Sequence, residues 1–148
     1  MVVTFFGHRD APASVEFPLT ETLVDLIENR GATLFYVGNN GEFDRIVQNK
    51  LTVLQHQYPC IQICVVLAYL PGERNDNKAL LNTVYPEGLE LVPKRFAICR
   101  RNEWMIAQSD LVVTYVKRSF GGAARYAAIA EKRGKPIINI AEHPYYPE

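Results

Sequence analysis

Apolar positions along this chain follow two rhythms that alternate from one end to the other. Short runs rich in β-branched and aromatic residues read as strands: VVTFF (2–6), TLFYV (33–37), IQICVVLAYL (61–70), LVVTYV (111–116) and PIINI (136–140). Between them the spacing becomes helical. Over 16–29, Leu23, Leu26 and Ile27 share one face, and Gly31 stands where a helix-ending glycine is expected. Over 41–57, Phe43, Ile46, Val47, Leu51 and Leu54 form an i, i+3, i+4 stripe. Helical character returns over 94–108 and over 120–133, where Gly134 and Pro136 stop it. The run 61–70 is too continuously apolar for a strand with one wet face and fits a central strand covered on both sides.

The order βαβαβ-αβαβ predicts an α/β fold: an open parallel sheet of about five strands, in the order 3-2-1-4-5, with helices on both faces. Residues 71–93 break the rhythm with Pro71, Gly72, Pro86, Gly88 and Pro93. So long a loop is either functional or a plain surface excursion. No repeat, low-complexity tract or linker divides the chain, so a single domain over 1–148 is expected.

Composition narrows the function classes. Hydrophobic residues make up 48% and charged residues 22%, the mixture of a globular protein. Sixteen basic and sixteen acidic residues cancel, so nothing global argues for a nucleic-acid or membrane partner. An anion site must be built locally. Cys60, Cys64 and Cys99 make no C-x-x-C pair, and their odd number does not suit a disulfide framework. Packed free thiols, a reducing compartment and no metal site are expected. With no basic leader and no apolar run of roughly 18 residues, a cytoplasmic protein is expected.

In an open parallel sheet, ligands bind where strand order reverses, at the carboxyl ends of the strands. The segments just after the strands read GHRD (7–10), GNNGEFD (38–44), PGERN (71–75) and KRSFGGAAR (117–125). Glycine lets the backbone approach a ligand, and a helix N-terminus offers free N–H groups to a phosphate. The alternative for Gly121 and Gly122 is a tight strand-to-helix turn, with Ala123 and its neighbours packing on the sheet. His8 either contacts phosphate or moves a proton, or else orients the first loop through a backbone hydrogen bond. Asp44 either holds ribose hydroxyls or sits favourably on the helix dipole. In RRNEWM (100–105), one of Arg100 and Arg101 faces the crevice or is solvated, while Trp104 packs or stacks.

Taken in order, GHRD, VGNNGEFD, RNEWMIAQSD and GGAARYA resemble the SLOG superfamily, which joins the DNA-processing protein A domain with the Lonely Guy phosphoribohydrolases. The resemblance runs from FFGHRD to PIINI and is closest to the small YpsA-like bacterial and prophage proteins. It implies a Rossmann-like fold, an oligomer, and a nucleotide or nucleotide-derived molecule in the crevice. The Lonely Guy segments are R-K-x-x-M and G-G-x-G-T-x-x-E. Arg101 and Met105 match the first, and Asn102 replaces its lysine. Gly121 and Gly122 match the second, but Ala124 replaces its third glycine, Arg125 its threonine and Ala128 its glutamate. That glutamate serves cleavage of an N-glycosidic bond, so phosphoribohydrolase activity is expected to be absent or weak unless Asp10, Glu42, Asp44 or Glu90 takes its place.

The leading expectation is a sensor or sequestering module for an ADP-ribose-like molecule or a cyclic nucleotide. Its ligand-binding residues are expected to be Gly7, His8, Arg9, Gly38, Asn39, Asn40, Asp44, Arg101, Ser119, Gly121, Gly122 and Ala123. No cofactor is expected. The alternative is a nucleotide N-glycosidic hydrolase with a relocated carboxylate, for which Asp44, Glu42 and Arg101 are the catalytic candidates. A third reading is single-stranded DNA binding, which the neutral charge opposes because Arg95, Arg100, Arg101, Lys117 and Arg118 make only a small patch. The 71–93 loop and Tyr145 and Tyr146 are the expected segments of an oligomer interface.

Overall fold

The computed structural model describes residues 1–70 and 82–144. PGERN (71–75) and the tail tyrosines 145 and 146 lie outside the described residues. Six strands are described: β1 (Val2–Gly7), β2 (Leu34–Val37), β3 (Gln62–Val66), β4 (Thr83–Val84), β5 (Leu111–Tyr115) and β6 (Ile137–Asn139). They form one sheet in the order β4-β3-β2-β1-β5-β6, and every pairing is parallel. The class is the Rossmann-like α/β one expected. The strand count differs by the edge strand β4, whose two residues pair with Val65 and Val66. A two-residue strand has no periodicity to read. Without it the order is the one expected.

Four α-helices connect the strands: α1 (Glu16–Asn29), α2 (Glu42–Gln57), α3 (Ala97–Gln108) and α4 (Gly122–Lys132). Pro18 falls in the first turn of α1, where its missing N–H costs no helical bond. The apolar run 61–70 yields strand only over Gln62–Val66; the Leu67 N–H still bonds to the Val84 carbonyl at 2.8 Å.

Alternation along the strands divides the core into two. On one face Val3, Phe5, Phe35, Val113 and Tyr115 meet Leu19, Leu23 and Leu26 of α1 and Phe43, Val47 and Leu51 of α2. On the other, Phe6, Val66 and Val112 meet Met105 and Ile106 of α3 and Tyr126 and Ala130 of α4. A strand covered on both sides has no wet face, and all five residues of β5 are buried. Among the described residues, no helix is long and apolar enough to cross a membrane.

This topology fixes where a crevice opens. From β1 the chain winds outward through β2 and β3, and later returns to add β5 and β6 on the other side. Strand order reverses between β1 and β5, so the turns after their carboxyl ends part there.

Candidate functional site

A cavity of about 240 Å³ lies at that point. The ends of β1 and β2 supply Phe6, Gly7 and Gly38, and α3 supplies Arg101, Asn102 and Met105. The start of α2 supplies Asp44, and α4 supplies Gly122, Ala123 and Tyr126. Gly41 and Gly121, the residues before α2 and α4, have φ of 112° and 93°. Glycine reaches this backbone without strain, so both helices can start abruptly at the crevice edge. The residue before α4 is Gly121, which has no side chain to cap the helix. Its first N–H groups therefore have no intrahelical acceptor and carry the positive end of the helix dipole.

Arg101 is 2% exposed and forms the polar wall of the cavity. Its Nε donates to Asn102 Oδ1 at 2.8 Å, and its Nη1 donates to Asn39 Oδ1 at 3.0 Å and to the Val66 carbonyl at 3.1 Å. With the Asn40 amide turned to satisfy both its ends, its oxygen accepts from Arg101 Nη2 at 3.1 Å and its nitrogen donates to the Asn39 carbonyl at 3.2 Å. All of these acceptors are neutral. The ion pairs among the described residues are Arg45–Glu42 and Arg118–Asp10. The guanidinium is thus well held and, among the described residues, has no ion-paired anion; burial pulls its pKa down while the fields of Asp44, Tyr126 and Tyr69 raise it.

Asp44 lies in the first turn of α2 and accepts the Asn40 N–H at 2.8 Å through Oδ2. Protein atoms crowd its carboxyl. Burial pushes its pKa from the ordinary 3.8 up to about 6, against the Asn40 hydrogen bond and the fields of Arg101 and Arg9. It therefore changes charge near neutrality, inside the cavity. Glu42 instead ion-pairs with Arg45 and lies outside the lining. Asp10 pairs with Arg118 near solvent, and Glu90 borders a separate hollow beside Tyr69 and Lys94.

Two glycines here are bare for steric reasons. A methyl at Gly7 would fall 2.2 Å from the Phe43 ring. At Gly38 it would fall 2.8 Å from Asp44 Oδ2 and 3.4 Å from Arg101 Cζ. Both close approaches are thus to the protein's own side chains, which brings α2 and α3 up against the strand ends.

His8 is buried under the turn that follows β5. Its Nε2 accepts the N–H groups of Lys117 at 2.9 Å and Arg118 at 3.3 Å, and its ring meets Tyr115 edge-on at 5.6 Å. Of the two roles expected, the structure displays the backbone-orienting one, carried across to a second loop. Burial lowers its pKa, the Arg118 charge lowers it further, and Asp10 opposes. Asn39 and Asn40 hold Arg101, and Arg9 borders the cavity while its carbonyl accepts the Glu42 N–H at 2.9 Å. Ser119 and Gly121 are exposed and lie outside the cavity lining, whereas Gly122 and Ala123 are part of it. Arg100 and Trp104 turn to another hollow with Pro86 and Val92, and Trp104 packs edge-on against Tyr36 at 5.1 Å.

Sequence reasoning missed the apolar wall of Phe6, Ile98 and Tyr126. Tyr126 stacks on Phe6 at 5.5 Å, and burial beside Cys99 raises its hydroxyl to about 12. Its position four residues after Gly122 on α4, one helical turn on, was the available signal.

Fold and site together define a Rossmann-like α/β protein with one buried guanidinium and one titratable carboxyl in a small crevice at the reversal of strand order. No family model matches the chain, and no curated protein matches it.

Proposed function

We propose that the crevice binds a nucleotide-derived small molecule, an ADP-ribose relative or a cyclic nucleotide, and that the protein senses or sequesters it as a member of the SLOG superfamily. One observation carries this reading: a guanidinium 2% exposed, with neutral hydrogen-bond partners, walls a cavity that also holds the start of α4. A buried cation is costly until an anion joins it, and a phosphate suits both the charge and the one remaining N–H of Arg101 and the helix N-terminus. Asp44 stands beside them as an acceptor for ribose hydroxyls. Phe6 and Tyr126 offer aromatic surface for a base or sugar face. The cavity has room for one sugar-phosphate unit, so a larger ligand would extend over its rim.

Calorimetry with a panel of nucleotides tests the reading. One of them binds the wild type, and Gly122→Asp, which sets a carboxylate at the mouth, loses that binding. Equal binding by the variant would move the ligand out of this crevice.

A second reading rests on Asp44. A carboxyl titrating near 6 inside the cavity has the properties of a general acid or base, so a slow N-glycosidic hydrolysis would use it in place of the acid that Ala128 lacks. Incubation with nucleoside monophosphates and NAD, followed by chromatography, decides. Free base released by the wild type but not by Asp44→Asn supports it, and no release over a long incubation with excess protein removes it.

A further inference from the structure

The chain between β5 and α4 is fastened at three successive residues and then released. Val116 exchanges two hydrogen bonds with the Asn139 side chain, at 3.1 and 3.0 Å. Lys117 and Arg118 both donate their backbone N–H to His8 Nε2. The Arg118 side chain grips Asp10 with two hydrogen bonds, at 3.0 and 2.7 Å. Beyond them, residues 119–121 are exposed, and the chain enters α4 at Gly122. His8 is therefore the buried anchor nearest the free helix N-terminus.

An imidazole nitrogen accepts a hydrogen bond only while it carries no proton, and the imidazolium is a donor at both nitrogens. With two N–H groups converging on Nε2, the ring is the neutral tautomer with its proton on Nδ1, as assigned from those bonds. Protonation would set three donors against one another in a site 6% exposed. The groups facing the ring are Tyr115 from β5, Arg118 from the turn and Asp10 from its own loop. Arg118 opposes a positive imidazole, and Asp10 favours it but is already engaged by Arg118.

We propose that His8 is a positioning residue for the ligand site: its neutral ring holds the turn before α4 by accepting two backbone hydrogen bonds, and its protonation frees that turn and weakens ligand binding. The coupling to ligand rests on the reading of the crevice as a nucleotide site; the clamp itself does not.

The test compares wild type, His8→Gln and His8→Leu between pH 5 and 8. The glutamine amide oxygen takes the place of Nε2 and does not titrate, whereas leucine has no acceptor. Backbone amide NMR is read first. In the wild type, the Lys117 and Arg118 amides are expected to move together with the His8 ring signals, with a midpoint below 6.5. In His8→Gln they are expected to stay fixed. Amides that ignore the ring, or that titrate alike in both proteins, overturn the proposal.

Calorimetry with ADP-ribose follows. Wild-type affinity is expected to fall more than that of His8→Gln from pH 7.5 to 5.5, by a factor between about two and ten, since a midpoint below 6.5 leaves the ring only partly protonated over much of that range. Asp44 titrates in both proteins, so the difference between them belongs to His8. At pH 7.5, His8→Leu is expected to bind about tenfold more weakly than wild type. Parallel pH profiles for wild type and His8→Gln, or wild-type affinity in a folded His8→Leu, sink the proposal. If ADP-ribose binds none of the proteins at any pH, the nucleotide reading fails for this probe, and the amide titration still decides the clamp.

Discussion

Asp44 and Arg101 face one another across the bare α-carbon of Gly38 and form no ion pair. A methyl on Gly38 would touch both, at 2.8 Å from the carboxylate oxygen and 3.4 Å from the guanidinium carbon. Each instead takes neutral partners: Asp44 the Asn40 N–H, and Arg101 three amide oxygens and a carbonyl. The two charges are kept close but separate, which leaves each with capacity for a third party.

That separation has a pH signature. The Asp44 carboxyl titrates at about 6 in the folded protein against an ordinary 3.8. A raised carboxyl pKa favours folding most below 3.8, and the benefit disappears as pH rises through 6. The gap corresponds to roughly 3 kcal/mol as an upper figure. Asp44→Asn, which keeps an oxygen for the Asn40 N–H, is expected to be more stable than wild type by about 1–3 kcal/mol at pH 8. The difference should shrink towards pH 4. Urea titrations at the two pH values measure it, and a difference independent of pH would contradict the burial argument.

Gly38 and Gly122 line the same cavity but differ in what a methyl would meet. Gly38→Ala drives a carbon into the Asp44 carboxylate and is expected to cost about 1–3 kcal/mol. Adding Asp44→Ala should recover part of that loss, a non-additivity expected of touching groups. A methyl on Gly122 meets nothing within 4 Å, so Gly122→Ala should stay within about 0.5 kcal/mol of wild type. Thermal denaturation separates the cases. A stable Gly38→Ala protein would mean that Asp44 moves freely.

Arg101 spreads its donors over four oxygens in one plane-directed fork. Lysine carries a point charge on a flexible stem and cannot reach them together. Arg101→Lys is expected to lose about 1–3 kcal/mol of stability through acceptors left unmet. It should also lower affinity for any phosphate-bearing ligand, by about tenfold, because the one N–H that Arg101 keeps free of protein oxygens, on Nη2, is lost from its place. Chemical denaturation and calorimetry on one preparation check both effects. Wild-type stability would show that the amide oxygens are satisfied without the fork.

A ligand that binds only the folded protein raises its melting temperature. At a hundredfold excess over its dissociation constant the gain is about 2.7 kcal/mol. A thermal-shift panel of nucleotides at pH 7.5 should therefore single out one member for wild type, and the same compound should leave Gly122→Asp unmoved. A compound that shifts both proteins equally is bound elsewhere.

Much of this architecture was legible as pattern. The stripe from Phe43 to Leu54 falls within α2 and marks it closely, because an apolar face sustained over about three turns has one geometric solution. The run at 61–70 reads as a central strand covered on both sides, but in β3 Gln62 is exposed and Ile63 and Cys64 are half-buried; the strand buried throughout is β5. β4 was not legible: two residues paired to Val65 and Val66 are specified by the neighbouring strand, not by their own rhythm. At the site, strand-end position pointed to Asp44 and Gly122 as cavity residues, whereas Arg101, one of two adjacent arginines on α3, was not fixed by it. It carried no information on direction. His8 and Gly7 sit at the same strand end, yet one turns to a backbone turn 109 residues later and the other yields its space to Phe43. Such choices follow from packing between distant segments, which no local spacing encodes.

The fastening of β1 to β5 has a consequence for how the molecule comes into being. Residues 1–66 contain β1, β2 and β3 with α1 and α2, joined by contacts of short chain separation. β5 takes its place beside β1 only across more than a hundred residues, and both the His8 clamp and the free end of α4 depend on that closure. Long loops close late, after local pairs have formed. A nascent chain released at β3 would own half of the crevice lining and neither Arg101 nor the start of α4, so the crevice is a product of the late closure.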